Sequence, residues 1–129
     1  MSWKLAAASG KAKLVVWTVE ANGPAILYCA GQICLRQEAA RFGQTVSKFL
    51  NSKRNIVLEL SAIEAIDSAG LGELVLLSMQ AQAAECEVRL AAPSEDLLNL
   101  LRLTNIASLF EIYSGVEEAL ASLRNQVTA

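Results

Sequence analysis

The spacing of apolar residues along the chain changes several times, and each change predicts a new element of secondary structure. Residues 14–19 and 25–30 are rich in β-branched and aromatic side chains, and the turn residues between them predict an antiparallel hairpin. From about residue 36 the apolar positions recur at helical spacing, which indicates a helix that ends near residue 51. Residues 56–60 form a nearly continuous apolar run, as is typical of a central strand.

The second half of the chain alternates between the two kinds of pattern. Residues 61–67 are predicted as a loop, and a helix begins near Ser68 and continues to about residue 85. Short strands at residues 86–90 and 109–113 are each followed by a further helix. The pattern therefore predicts an α/β fold: a mixed, mostly parallel sheet of about five strands with an N-terminal hairpin and four helices.

Length and composition limit the class of protein. A chain of 129 residues suits one domain, which we expect at residues 13–129 after a flexible lead-in at residues 1–12. With 53% hydrophobic and 19% charged residues, the composition is too apolar for a disordered chain. A net charge of -2 predicts no nucleic-acid partner. Without a membrane-length apolar run or a signal peptide, we expect a cytoplasmic protein with no membrane contact.

The residue types that are absent argue against an enzyme. The chain has no histidine, so it lacks the base of most nucleophilic mechanisms and the commonest metal ligand. We predict no catalytic residue, no metal and no cofactor. Glu64 and Asp67 are the one acid/base candidate, and such pairs on surface loops are usually just solvated. Cys29 and Cys86 are predicted to be buried, whereas Cys34 follows the second predicted strand and is expected to be exposed.

Residues 67–72, Asp-Ser-Ala-Gly-Leu-Gly, are the most informative stretch, because they follow a predicted strand and open a helix. A dinucleotide-binding fingerprint fails because Val75 stands where its third glycine would be, and a nucleophile elbow fails at Ile66. Two interpretations remain open. Either Asp67 or Ser68 caps the helix while the glycines permit close packing, or the Ser68 hydroxyl accepts a phosphate at the helix start.

The charges around this stretch suggest what a phosphate on Ser68 would do. Six acids and no Lys or Arg lie between residues 55 and 88. A phosphate would repel an acidic or desolvating partner surface and act as an off-switch for an interface. The following helix has more apolar positions than one buried face requires. Either most of its sides are covered, or Leu76 and Met79 present an apolar patch to a partner.

Residues 56–72 resemble the signature of STAS domains, the fold shared by sulfate transporters and anti-sigma factor antagonists. Gly31 and the segments 90–94, 101–106 and 109–113 are similar to further parts of that pattern, so the resemblance covers nearly the whole chain. It implies a bacterial anti-sigma factor antagonist that takes part in partner switching. In that scheme the unphosphorylated protein binds an anti-sigma factor that is also a serine kinase, phosphorylation dissociates the complex, and a serine phosphatase restores it.

The resemblance also implies which residues act. Ser68 would be the phosphorylated residue. The predicted partner-binding residues are Asp67, Ser68, Ala69, Gly70, Leu71, Gly72, Leu76 and Met79. The chain departs from the family where Gln32 and Cys34 replace the usual acids and where Glu59 replaces an aspartate. These departures motivate an alternative, an unphosphorylated scaffold or a module that senses a small ligand or nucleotide. The first hairpin supplies an edge strand that could form a weak homodimer.

Overall fold

The computed structural model describes residues 14–20 and 23–127, and side chains in these ranges except at 19, 20 and 125–127. The predicted lead-in at residues 1–12 lies outside the described residues. The strands are β1 (Val15–Glu20), β2 (Ala25–Ile33), β3 (Ile56–Ile66), β4 (Val88–Ala91) and β5 (Glu111–Tyr113). The helices are α1 (Arg36–Asn51), α2 (Ser68–Ala84), α3 (Glu95–Leu103) and α4 (Val116–Val127), with a short 3-10 helix at Ala107–Leu109.

The five strands form one mixed sheet in the order β1-β2-β3-β4-β5. β1 pairs antiparallel with β2, and every later neighbour is parallel. The predicted fold class, including the N-terminal hairpin and the four helices, is therefore confirmed. Parallel neighbours need a crossover connection, and a helix supplies each one here.

The two faces of the sheet are covered by different helices. Apolar side chains of α1, α2 and α3 pack with alternate strand residues into the larger core, which includes Phe42, Leu58, Leu74 and Leu101. On the opposite face Ala119 and Leu123 of α4 pack against Ile26, Val57 and Ala91. This alternation along each strand explains why the central strands read as continuous apolar runs.

The third strand is longer than the sequence predicts. Residues 61–66 were predicted as a loop, but they continue β3 to Ile66 and pair with the end of β2 after shifts in register. Ile63, Ala65 and Ile66 are buried along this extension, while Ser61 and Glu64 are exposed. The prediction was wrong because pairing with β2, a non-local contact, keeps these residues extended.

Candidate functional site

The carboxyl ends of β2 and β3 place two connecting turns side by side. Ile33 is the register partner of Ile66, so the turn that starts α1 lies against the turn that starts α2. The carboxyl edge of parallel strands is where sites commonly form in α/β folds. The residues that the sequence singles out at 67–72 therefore meet a second segment, residues 33–35, that is distant in sequence.

The Asp67 carboxylate joins these two turns. Its Oδ1 accepts a hydrogen bond from the Gly70 N–H at 3.0 Å, which caps α2. Its Oδ2 accepts from the Leu35 N–H at 2.8 Å. The Asp67 N–H in turn donates to the Ile33 carbonyl at 3.3 Å. One side chain thus satisfies donors on both turns, which fixes their relative position.

Gly70 explains how closely the turns approach. A Cβ at this position would lie 2.6 Å from Cγ1 of Ile66 and closer still to the Ile33 carbonyl oxygen. Gly70 is buried, and the nearest atom belongs to the backbone of β2, which cannot move aside as the end of a flexible side chain could. The close-packing role that the sequence suggests for the glycines therefore applies to Gly70. Gly72 differs, because a Cβ there would meet nothing within 4 Å.

Ser68 is the first residue of α2, and its side chain is exposed. Asp67 performs the capping, so Ser68 is not needed for it. Among the residues that the structure describes, the Ser68 hydroxyl has no hydrogen-bond partner. Ala69 and Leu71 are half-buried and pack against the larger core. Of the first residues of α2, Ser68 and Gly72 therefore face solvent.

Five exposed residues line one side of α2, which we term the outer face of α2. They follow one another at helical spacing and are Ser68, Gly72, Leu76, Met79 and Ala83. Leu76 is 47% and Met79 61% exposed. Met79 lies about 16 Å along the helix axis from Ser68, at ~1.5 Å per residue. Of the two alternatives for Leu76 and Met79, the structure gives exposure rather than burial.

The position of Cys34, at the end of β2 next to this site, contradicts one prediction. It was expected to be exposed, but it is 3% exposed and packs with Ala65, because the extension of β3 covers it. Burial, and next the nearby Asp67 carboxylate, raise the pKa of the Cys34 thiol to about 11. Cys29 and Cys86 are buried as predicted. Burial and then Glu59 raise the pKa of Cys29 to about 12.

Leu35 is a residue at this site that the sequence does not single out. It precedes α1 with φ 63° and ψ 146°, and its side chain is 57% exposed. A leucine here belongs to neither apolar face of a predicted element, so periodicity gives no reason to select it. Arg36 directly follows Leu35 in the sequence. It is also exposed, and it places a basic side chain at the start of α1.

The other two positions that depart from the family pattern lie near the same strands. Gln32 is half-buried in β2 beside Ala65 of β3. The Glu59 carboxylate accepts hydrogen bonds from the Ser61 N–H at 3.0 Å and from its hydroxyl at 2.8 Å.

In the described ranges, no three His, Cys, Asp or Glu side chains are grouped so that they could hold a metal ion. No helix in those ranges has the length and apolarity to span a membrane.

Comparison with known proteins identifies relatives over most of this fold. The STAS domain family model matches residues 16–119. A protein of Thermotoga maritima that is named as a candidate anti-sigma factor antagonist is 34% identical over 80 residues, which cover 61% of this chain and 71% of the relative. A homologous protein of Thermotoga neapolitana is 32% identical over the same share of each chain.

Solved structures agree with the sequence matches. The crystal structure of a candidate anti-sigma factor antagonist from Thermotoga maritima superimposes with a TM-score of 0.71 at 27% identity, covering 84% of this chain and 94% of that one. The unphosphorylated form of the anti-sigma factor antagonist SpoIIAA gives a TM-score of 0.71 at 13% identity, covering 86% and 97%. At that identity the second match supports the fold alone.

Proposed function

This chain belongs to the STAS domain family, with relatives named as anti-sigma factor antagonists, and we propose that it is a phosphorylation-controlled antagonist of an anti-sigma factor. In this proposal the unphosphorylated chain binds an anti-sigma factor that is also a serine kinase. Phosphorylation of Ser68 dissociates the complex, and a serine phosphatase restores binding. The protein acts by binding and not as an enzyme.

The observation that carries the proposal is that Asp67 and Ser68 have different roles at the start of α2. Asp67 caps the helix and holds the neighbouring turn, whereas Ser68 is exposed and has no partner among the described residues. A serine that only capped the helix would use its oxygen on a backbone N–H of the first turn. Ser68 is instead free to react, and the N–H groups at the helix start favour a negative charge there.

The surface around Ser68 supports an off-switch. The outer face of α2 has no charged side chain, and Leu76 and Met79 give it an apolar character. A phosphate adds roughly -1.5 to -2 charges at neutral pH. If a partner covers this face, that charge would have to lose its water, and it would also repel the Asp67 carboxylate and any partner acids. We therefore propose that residues 67–72, with Leu76 and Met79, form the partner-binding surface, in which the buried Gly70 contributes close packing of the two turns and no direct contact.

The test uses the purified chain and each serine-kinase anti-sigma factor encoded by its host. Each kinase is titrated into the chain by calorimetry without nucleotide, and the mixture is then incubated with ATP and Mg²⁺ and its intact mass is measured. We expect one kinase to bind and to add a single phosphate, which peptide mapping places on Ser68. Phosphate addition should abolish the measured binding.

Three variants serve as the test and its controls. Ser68→Ala should still bind the kinase and take up no phosphate, whereas Ser68→Asp should bind at least tenfold more weakly. Ser61→Ala is the matched control, since Ser61 is also exposed but its hydroxyl already donates to Glu59. This variant should be phosphorylated like the wild type. Stoichiometric phosphorylation of Ser68→Ala would refute the assignment of the site.

A further inference from the structure

Leu35 has a backbone conformation that leucine rarely adopts. Its φ of 63° combined with ψ of 146° places it beyond the left-handed helical region, in a part of the map that glycine tolerates far better. Strain of this kind persists only where the surrounding structure enforces it. Two hydrogen bonds hold this backbone: the Leu35 N–H donates to Oδ2 of Asp67 at 2.8 Å, and the Leu35 carbonyl accepts from the Ala39 N–H at 3.0 Å.

The leucine side chain does not offset this strain by burial. It is 57% exposed and belongs to none of the apolar clusters of the fold. A glycine would allow the same turn and the same N–H contact with less strain. Folding alone therefore gives no reason for a large apolar side chain at this position.

The location of Leu35 suggests a reason. The same carboxylate that holds its backbone also caps α2 at Gly70, so the turn that carries Leu35 lies against the turn that carries Ser68. Leu76 and Met79 extend the apolar character along that face. A single partner that covered Ser68 would thus meet exposed apolar side chains both on α2 and on the turn before α1.

We infer that Leu35 is a partner-contact residue, displayed by Asp67 so that its side chain enters an apolar depression on the serine-kinase partner. This inference rests on the proposed function and extends it from α2 to a second segment. The depression should be uncharged at its centre, since it receives an aliphatic side chain. Its rim should be basic, since Asp67 and the exposed Glu64 lie at the end of β3 nearby.

The test is the calorimetric affinity of the purified kinase that binds the wild-type chain, measured with variants at position 35. Leu35→Gly should raise or preserve the melting temperature, since it relieves strain, but weaken kinase binding about tenfold to a hundredfold, the worth of one buried leucine. Leu35→Met keeps an apolar side chain and should retain most of the affinity. Leu103→Ala removes another exposed leucine, on α3, and should leave both quantities unchanged.

The possible outcomes separate this inference from the proposed function. If Leu35→Gly binds the kinase as tightly as the wild type, the inference is wrong and the proposed function stands. If Leu35→Gly lowers the melting temperature, the side chain stabilises the fold and the inference is again wrong. If the unmodified wild-type chain binds no serine kinase of its host, the proposed function fails and this inference fails with it.

Discussion

Helices α1 and α2 pack side by side on the same face of the sheet, yet the side chains that they expose to solvent differ in charge and polarity. Their contact includes a hydrogen bond from the Ser47 hydroxyl to Gln80, at 2.8 Å. The exposed residues of α1 are all polar: Arg36, Gln37, Arg41, Gln44, Lys48 and Asn51. Those of α2 are all uncharged: Ser68, Gly72, Leu76, Met79, Gln80, Gln82 and Ala83.

The difference shows which apolar residues the fold itself requires. Both helices bury one apolar face against the sheet, through Phe42 and Val46 in α1 and through Leu74 and Leu77 in α2. An amphipathic helix such as α1 needs nothing more. Leu76 and Met79 add exposed apolar area that packing does not explain, and they lie on the same side of α2 as Ser68.

The largest expected effect separates the two sides of α2. Leu74→Ala should lower the free energy of unfolding by about 2–5 kcal/mol, because Leu74 is fully buried and its truncation leaves a cavity. Leu76→Ala should change it by no more than about 0.5 kcal/mol. Urea denaturation of both variants measures the contrast. Equal losses would show that Leu76 is part of the core, and the difference between the exposed surfaces of α1 and α2 would then not indicate a binding role.

The two glycines of α2 provide a second pair. Gly70→Ala should destabilise the fold by about 3 kcal/mol, the upper end for overpacking, because backbone of β2 cannot yield to the new methyl group. Gly72→Ala enters open space and should stabilise by up to about 1 kcal/mol, since alanine favours helix. Thermal denaturation compares the two. A stable Gly70→Ala variant would contradict the close approach of the two turns.

The buried thiol between the helix starts should make stability depend on pH. Burial raises the pKa of Cys34 to about 11, so the folded state favours the protonated thiol. The stabilisation is fully present below the unfolded pKa of ~8.5 and is lost as pH rises toward about 11. From pH ~8 to ~10 the loss should be on the order of 1 kcal/mol.

Cys34→Ala isolates this contribution, because every other group titrates equally in both proteins. The difference in unfolding free energy between wild type and variant should shrink as pH rises over this range. A constant difference would show that Cys34 is accessible to solvent in the folded state, as the sequence predicts.

Giving α2 the kind of polar surface that α1 has should change stability only slightly. The double variant Leu76→Gln, Met79→Lys replaces two exposed side chains and should alter the unfolding free energy by less than about 1 kcal/mol. If the outer face of α2 binds the proposed kinase, calorimetry should show at least a tenfold loss of affinity. Gln44→Ala on α1 is the control and should change neither quantity.

Local signals in the sequence were sufficient for most of this architecture. Apolar spacing predicts the order of strands and helices, and the run at residues 67–72 marks the start of α2 as the place of interest. These features depend on neighbours in the chain, such as the cap that Asp67 forms with Gly70. They can therefore be read without knowledge of the rest of the fold.

The parts that the sequence could not supply depend on contacts between distant segments. The extension of β3 and the burial of Cys34 arise when residues 61–66 pair with β2. The display of Leu35 arises because Asp67, 32 residues away in sequence, accepts its N–H. No periodicity encodes such a contact, so both the buried thiol and the strained leucine become visible only in three dimensions.

The position of α4 has a consequence for how the chain matures on the ribosome. Of the helices that the structure describes, α4 is the one that covers Ile26, Val57 and Ala91, and it is the last to be synthesised. Until residues 116–127 leave the exit tunnel, the apolar side chains on that face of the nascent sheet remain exposed to water. A stalled or truncated product would therefore expose an apolar surface to aggregation or chaperone binding, even if the opposite face of the sheet had folded.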